Sequence, residues 1–264
     1  MTRPQPGDPV WVELFTGDVE ESIAFYTELF GWTVERGGPE FGGYLTFREG
    51  GKVVAGGMGK TPENTDGPEQ WTVYLAAEDA SRTVSAAERA GAQVVVPAMQ
   101  VGDLGVMAIL GDPGGAGVGV WQALDFGGIE TEALVEGGQW RDHDGAPSWF
   151  ELHSRDYDRV LTFYKEVFGW QDTFAMPEQD GFRYTTIHST SPMRGGVFDA
   201  SVLPADAPGG WTVYFGADDV DKSVARVVEL GGSVIAPAEN TPYGRMATVA
   251  DPRGVRFSLG GDPS

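Results

Sequence analysis

Apolar and polar positions follow two periods along this chain, and the periods trade places in a fixed order. Val10–Phe15 is apolar and β-prone, so it predicts a strand. Phe25 and Leu29, and then Tyr26 and Phe30, are spaced i, i+4 and share one helix face. Asp18 can cap that helix, with Glu21 completing a capping-box-like pair. Gly31 falls where the helix needs a left-handed C-terminal residue. Short strands are expected around Trp32–Glu35, Tyr44–Phe47 and Val53–Met58, separated by glycine-rich turns. The stretch Lys60–Glu69, with Pro62, Asn64, Gly67 and Pro68, predicts a connector.

The order then starts again. Trp71–Leu75 is a strand, Asp79 a second cap, and Ser81–Ala90 an alanine-rich helix stopped by Gly91. Gln93–Val96, Val106–Leu110 and Val118–Gln122 are strands, with the turn Asp112-Pro113-Gly114-Gly115 before the last. The first half is therefore two β-α-β-β-β units.

That half returns in the second. Phe25-Tyr26-Thr27-Glu28-Leu29-Phe30-Gly31-Trp32 reappears 138 positions later as Phe163-Tyr164-Lys165-Glu166-Val167-Phe168-Gly169-Trp170. Trp11-Val12-Glu13-Leu14 matches Trp149-Phe150-Glu151-Leu152, and Trp71-Thr72-Val73-Tyr74 is identical to Trp211-Thr212-Val213-Tyr214. Asp251-Pro252-Arg253-Gly254 matches the earlier Asp-Pro turn, and the offset drifts only to 140. The expected architecture is α+β: a first domain over 1–124, a glycine- and acid-rich linker over 125–146, and a second domain over 147–264. The helix-flanking Trp32 and Trp170 are expected to pack under their helices. The pairs Gly56-Gly57 and Gly195-Gly196 lack phosphate-loop spacing and read as strand bulges.

Composition narrows the function classes. The 264 residues carry a net charge of −21, which favours solubility and opposes binding to nucleic acid or anionic membrane. There is no cysteine, hence no disulfide, thiolate ligand or cysteine nucleophile. No run reaches the roughly 18 apolar residues of a membrane helix, and the N-terminal residues lack the apolar core of a signal peptide. A cytoplasmic protein, monomeric or homodimeric and handling a small molecule, is the expectation. No Ser-His-Asp set or nucleophile elbow stands out.

Four β-α-β-β-β units, the Asp18-x-x-x-Ser22-x-x-Phe25-Tyr26 helix start and the Asp-Pro-x-Gly turns together resemble the vicinal oxygen chelate superfamily. That group includes glyoxalase I, bleomycin-resistance proteins and extradiol dioxygenases. The resemblance spans nearly the whole chain and is similar to tandem-domain, glyoxalase-like actinobacterial members. It implies that two units pair their sheets into a half-open barrel around one cavity, giving two cavities per chain. It also implies ligand positions for a metal: seven residues before each helix-capping Asp, on the last strand of the first unit, and seven after the Asp of each Asp-Pro turn. Those positions hold Trp11, Thr72, Gly119 and a residue near Met58 in the first domain. In the second they hold Trp149, Thr212, Ser258 and a residue near Val197–Phe198. None is an imidazole, carboxylate or thiolate, so no metal and no other cofactor is expected.

Strand alternation then nominates what lines the cavities. Trp11, Glu13, Phe15, Thr72, Tyr74 and Trp121 face the first, together with Gly117 and Gly119. Trp149, Glu151, His153, Thr212, Tyr214, Arg256, Ser258 and Gly260 face the second, with Arg183 contributing a further guanidinium. An inward carboxylate is expensive unless paired, solvated or protonated, so Glu13 and Glu151 are either structural or functional. Glu151 and His153 are the acid–base candidates. His143, in the linker, and His188, near a turn, receive no role. Three classes of function stay open: a metal-independent binder of an aromatic or apolar small molecule, an enzyme of the superfamily using Glu151 and His153 or displaced metal ligands, and a non-enzymatic interaction protein.

Overall fold

The computed structural model of the protein describes residues 4–38, 41–61, 67–131, 135–136, 139–140, 144–179, 181–188, 194–205 and 207–263. The first repeat begins with β1 (Pro9–Thr16), α1 (Val19–Phe30), β2 (Thr33–Arg36), β3 (Leu45–Glu49) and β4 (Lys52–Gly59). The same order returns as β5 (Gln70–Ala76), α2 (Ala80–Arg89), β6 (Gln93–Val101), β7 (Gly105–Gly111) and β8 (Gly117–Ala123). Within the expected linker, β9 (Val135–Glu136) and β10 (Gln139–Trp140) pair antiparallel. The second repeat runs β11 (Pro147–Ser154), α3 (Tyr157–Phe168), β12 (Phe174–Ala175), β13 (Tyr184–Thr186) and β14 (Gly195–Asp199). It closes with β15 (Gly210–Gly216), α4 (Val220–Glu229), β16 (Ser233–Thr241), β17 (Gly244–Ala250) and β18 (Arg256–Gly261).

Each repeat makes one eight-stranded sheet. The orders are β2-β3-β4-β1-β5-β8-β7-β6 and β12-β13-β14-β11-β15-β18-β17-β16. Neither order closes on itself, so each sheet is a half-open barrel of two β-α-β-β-β units. The first strand of each unit pairs parallel with the last strand of that unit, as the crossover helix between them requires. The helices start and stop where the sequence says. Asp18, Asp79 and Asp219 accept from the backbone N–H three residues on, at 3.0, 3.0 and 3.1 Å. Gly31 and Gly169 end α1 and α3 at φ 68° and 75°, a conformation that only glycine reaches without strain.

The chain also divides into two compact units, each drawn from both repeats: Met1–Trp11, Val73–Gly128 and Phe150–Thr212 form one, and Val12–Thr72, Ile129–Trp149 and Val213–Ser264 the other. In the second unit α1 packs with α4 around an aromatic core. Tyr26 is fully buried, stacks on Trp32 at 6.0 Å and meets Trp71 edge-on at 5.2 Å, with Phe25, Phe30, Phe215 and Phe257 filling the rest. Its hydroxyl accepts from Trp71 Nε1 at 3.0 Å and donates to Asp251 Oδ2 at 3.1 Å. In the first unit α2 packs with α3, and the same arrangement appears with different numbers. Tyr164 stacks on Trp170 at 4.5 Å, accepts from Trp211 Nε1 at 3.0 Å and donates to Asp112 Oδ2 at 3.0 Å. The expected packing of Trp32 and Trp170 is thus observed. Each aromatic side chain so buried contributes on the order of 2 kcal/mol.

The Asp-Pro turns therefore have two duties. Asp112 Oδ1 takes the N–H groups of Gly114 and Ala116 at 2.8 and 2.9 Å, which shapes the turn before β8. Asp251 Oδ1 takes those of Arg253 and Val255, both at 2.9 Å. The remaining oxygen of each carboxylate is left for a tyrosine from the other repeat.

In the second unit Arg253 forks onto Glu69, Nε to Oε2 at 3.0 Å and Nη2 to Oε1 at 2.8 Å. These bonds hold the Glu69 carboxyl down at about 2, against an ordinary value of 4.5. A depressed carboxylate stabilises the fold above its unfolded value and loses that contribution as pH falls through its folded value. Glu69→Gln should therefore lower the thermal midpoint at pH 7, and the difference from the natural chain should shrink between pH 4.5 and 2. Paired melting curves across that range check it; a constant difference contradicts it.

One expectation is corrected. Gly56-Gly57 and Gly195-Gly196 are not bulges, because the strand register runs evenly through both pairs. Gly196 is glycine for another reason: a Cβ there would overlap the ring of Tyr184.

Candidate functional site

The alternation of β11 sets the site. Ser148, Phe150, Leu152 and Ser154 are buried on one face, while Trp149, Glu151 and His153 are half-buried on the other. Glu151 lies opposite Gly196 and His153 opposite Phe198 in the parallel register with β14. The bare backbone of Gly196 lets the Tyr184 ring lie across it. From there the phenol donates to Glu151 Oε2 at 2.7 Å. The other carboxylate oxygen, Oε1, is 2.6 Å from His153 Nε2. Phe198 meets the imidazole edge-on at 5.3 Å, and Phe182 stacks on Tyr184 at 5.9 Å. The result, all within the first compact unit, is a phenol–carboxylate–imidazole relay walled by two phenylalanines. The side chains of His153 and Glu151 retain 21 % and 14 % exposure, enough to meet a ligand. An ionised carboxylate can only accept, so in the tautomer that donates from Nε2 to Glu151 the other ring nitrogen, Nδ1, keeps its lone pair.

The first repeat carries the same pair without the imidazole. Tyr44 donates to Glu13 Oε2 at 2.7 Å in the second unit, and Phe15 stands where the second repeat has His153. Phe15 is half-buried beneath Lys60, whose Nζ lies 5.9 Å from the ring centroid. Elsewhere the first repeat is more closed. Trp11, Tyr74 and Trp121 are 5 %, 2 % and 7 % exposed. Phe126, from the expected linker, meets Trp11 edge-on at 5.0 Å and Trp121 at 6.0 Å, and its carbonyl accepts from Trp121 Nε1 at 3.0 Å. The chain's own phenylalanine thus packs against both tryptophans. In the second repeat Trp149 and Tyr214 stay half-buried, and Gly260 stands at the position of Trp121.

The other nominated residues are placed as follows. Thr72 and Thr212 are buried on their strands, and Ser258 bonds Thr248 hydroxyl to hydroxyl at 3.1 Å. Arg256 is half-buried on β18, and its guanidinium is disfavoured by burial. Arg183 is a correction. It precedes Tyr184, so alternation turns it to the helix side, away from Glu151. There it stacks over Tyr157 at 4.4 Å and pairs with Asp158 at 2.7 Å and Asp199 at 3.1 Å. His143 lies outside the described residues, as do Pro62 and Asn64 of the connector. His188 bonds Asp8 at 2.6 Å, and this bond raises the imidazole above its ordinary value. Together with the 2.9 Å bond from Trp170 Nε1 to the Gly7 carbonyl, it anchors the residues just before β1.

The glyoxalase/bleomycin resistance protein/dioxygenase superfamily model matches residues 9–120 and again 147–259, one match on each sheet. The chain belongs to this superfamily. It is 35 % identical over 277 residues to the anthracycline biosynthesis protein DauV of Streptomyces sp. (strain C5), covering 98 % of this chain and 94 % of DauV. Its fold is similar to the 2,3-dioxygenase LapB from Pseudomonas sp. KL28, with a TM-score of 0.63 and 13 % identity over 100 % of this chain and 94 % of LapB. It is also similar to the Mn(II)-bound glyoxalase from Novosphingobium aromaticivorans, with a TM-score of 0.61 and 14 % identity over 98 % and 83 % of the two chains.

Superfamily membership raises the question of a metal, and the residues at the expected ligand positions do not fit one. A Cβ at Gly119 would overlap the Tyr74 ring, so this position has room under a tyrosine and no donor for a metal. Ser258, its counterpart, is engaged with Thr248. Among the described residues no three His, Cys, Asp or Glu side chains converge. Tyr44, Tyr184, Phe182 and Phe126 are not among the nominated site residues, and Phe198 enters only through the expected ligand position near Val197–Phe198. Tyr44 and Tyr184 stand 140 positions apart, inside the repeat offset, and that spacing is the signal that could have paired them.

Proposed function

We propose that the face of the second repeat around Glu151 binds a flat, phenol-bearing aromatic small molecule without a metal. The observation that carries this is the Tyr184–Glu151–His153 relay beside Phe182 and Phe198. Aromatic walls suit a planar ligand, and a carboxylate flanked by a phenol and an imidazole offers acceptor and donor groups to ligand hydroxyls. The likeness to a protein named for anthracycline biosynthesis supports the same ligand class. The donor types at the superfamily's ligand positions support metal independence.

The test is calorimetric titration of the chelator-treated protein with 1,8-dihydroxyanthraquinone. Saturable binding that is unchanged by EDTA is the expected result. No binding, or binding that appears only after Mn²⁺, Fe²⁺ or Zn²⁺ is restored, overturns the proposal.

A second reading rests on the 2.6 Å His153–Glu151 bond, which the first repeat lacks: this pair transfers a proton on the bound molecule. His153→Phe copies the first repeat. Binding kept with turnover lost supports catalysis, and no change in either leaves a binder.

A further inference from the structure

Arg256 lies in the second compact unit. Among the described residues Arg256 makes no hydrogen bond or ion pair, although it is half-buried and disfavoured by desolvation. The arginines 183, 226, 245 and 253 all hold carboxylates. A guanidinium partly withdrawn from water and left unpaired costs stability unless something else compensates it. Its direction on β18 is fixed by its neighbour. Phe257 is inside the aromatic core with Phe25, Phe30 and Phe215, so Arg256 and Ser258 stand on the opposite face. Across the antiparallel register Arg256 faces Ala250, a small residue. Ser258 faces Thr248 on that side and Tyr214 on the other. The equivalent position of the first repeat is Gly117, so the charge is peculiar to the second.

We infer that Arg256 anchors a carboxylate-binding site on this strand face. A planar fork of donors matches a carboxylate in two parallel bonds. On a chain of net charge −21 a free anion is repelled at long range, so a local desolvated cation is what such a ligand needs. This inference does not rest on the Glu151 reading.

The probe is 2-naphthoate, with its methyl ester as the uncharged control. Affinity is measured by calorimetry, and the Arg256 Nε–H signal is followed in 15N-labelled protein. The natural chain is expected to bind 2-naphthoate saturably with movement of that signal. Arg256→Gln should weaken binding at least tenfold, Arg256→Lys less, and the ester should not compete. Equal affinity in the natural chain and Arg256→Gln, or no binding up to about 10 mM, overturns the assignment. Arg256→Met supplies a separate check. A thermal midpoint at or above that of the natural chain is expected, since an uncompensated charge is removed. A fall of several degrees marks a structural arginine and also overturns it. The readout is separate from the dihydroxyanthraquinone titration, so either reading can fail alone.

Discussion

Asp251→Ala is expected to cost about 3 kcal/mol of folding stability at pH 7, lowering the thermal midpoint by roughly 6–12 °C. Asp251 is 2 % exposed, and three donors converge on it: the Tyr26 hydroxyl and the N–H groups of Arg253 and Val255. Truncation strips all three of their acceptor in a site that water does not reach. Burial also pushes the Asp251 carboxyl above its ordinary value, so the charge is tolerated only because those bonds offset the desolvation. A raised carboxylate binds its proton more tightly folded than unfolded. Its contribution is therefore largest at low pH and declines as pH rises through the folded value. Asp251→Asn keeps an acceptor for the backbone groups, has no charge to desolvate, and should cost only about 1 kcal/mol. Asp112→Ala, which removes the matching contact from Tyr164, should resemble Asp251→Ala. Denaturant unfolding at pH 7 measures all three variants. A loss below about 1 kcal/mol for both alanine variants would mean that these carboxylates merely decorate their turns.

That carboxylate also shows where sequence reading stops. Helix faces, caps, the Gly31 and Gly169 stops and the strand order are local consequences of spacing, and each is legible from a few consecutive residues. So is the turn-forming half of the Asp-Pro-x-Gly motif. The other half is not: Tyr26 meets Asp251 across 225 positions, and no periodicity encodes such a pairing. The inward face of β11 follows from period-two alternation, which is why Glu151 and His153 can be nominated. Arg183 fails by a single position, because alternation on so short a strand as β13 places Tyr184 toward Glu151 and its neighbour toward α3. Phe126 is missed because a glycine- and acid-rich stretch gives no sign that one aromatic within it packs against Trp11 and Trp121.

The two repeats hold the same Tyr–Glu pair, yet only one is expected to bind. Glu151→Gln should weaken 1,8-dihydroxyanthraquinone at least tenfold, whereas Glu13→Gln should leave its affinity within about twofold. The difference comes from what surrounds the pairs. Two residues before Glu13 on the same strand face, Trp11 is 5 % exposed and already packed against Phe126. Two residues before Glu151, Trp149 is half-buried, and two residues after it stands an imidazole in place of Phe15. An amide at 151 still accepts the Tyr184 bond, but it no longer holds a charge for the imidazole or for a ligand hydroxyl. What is lost is the charge-assisted part of each bond, on the order of 1.5 kcal/mol, which is about tenfold. Both variants should keep the thermal midpoint close to that of the natural chain, so that a binding difference is not a folding difference. Should Glu13→Gln instead cause the larger loss, the binding face belongs to the first repeat. Trp11, Trp121 and Phe126 would then have to separate to admit the ligand, and Phe126→Ala would strengthen binding.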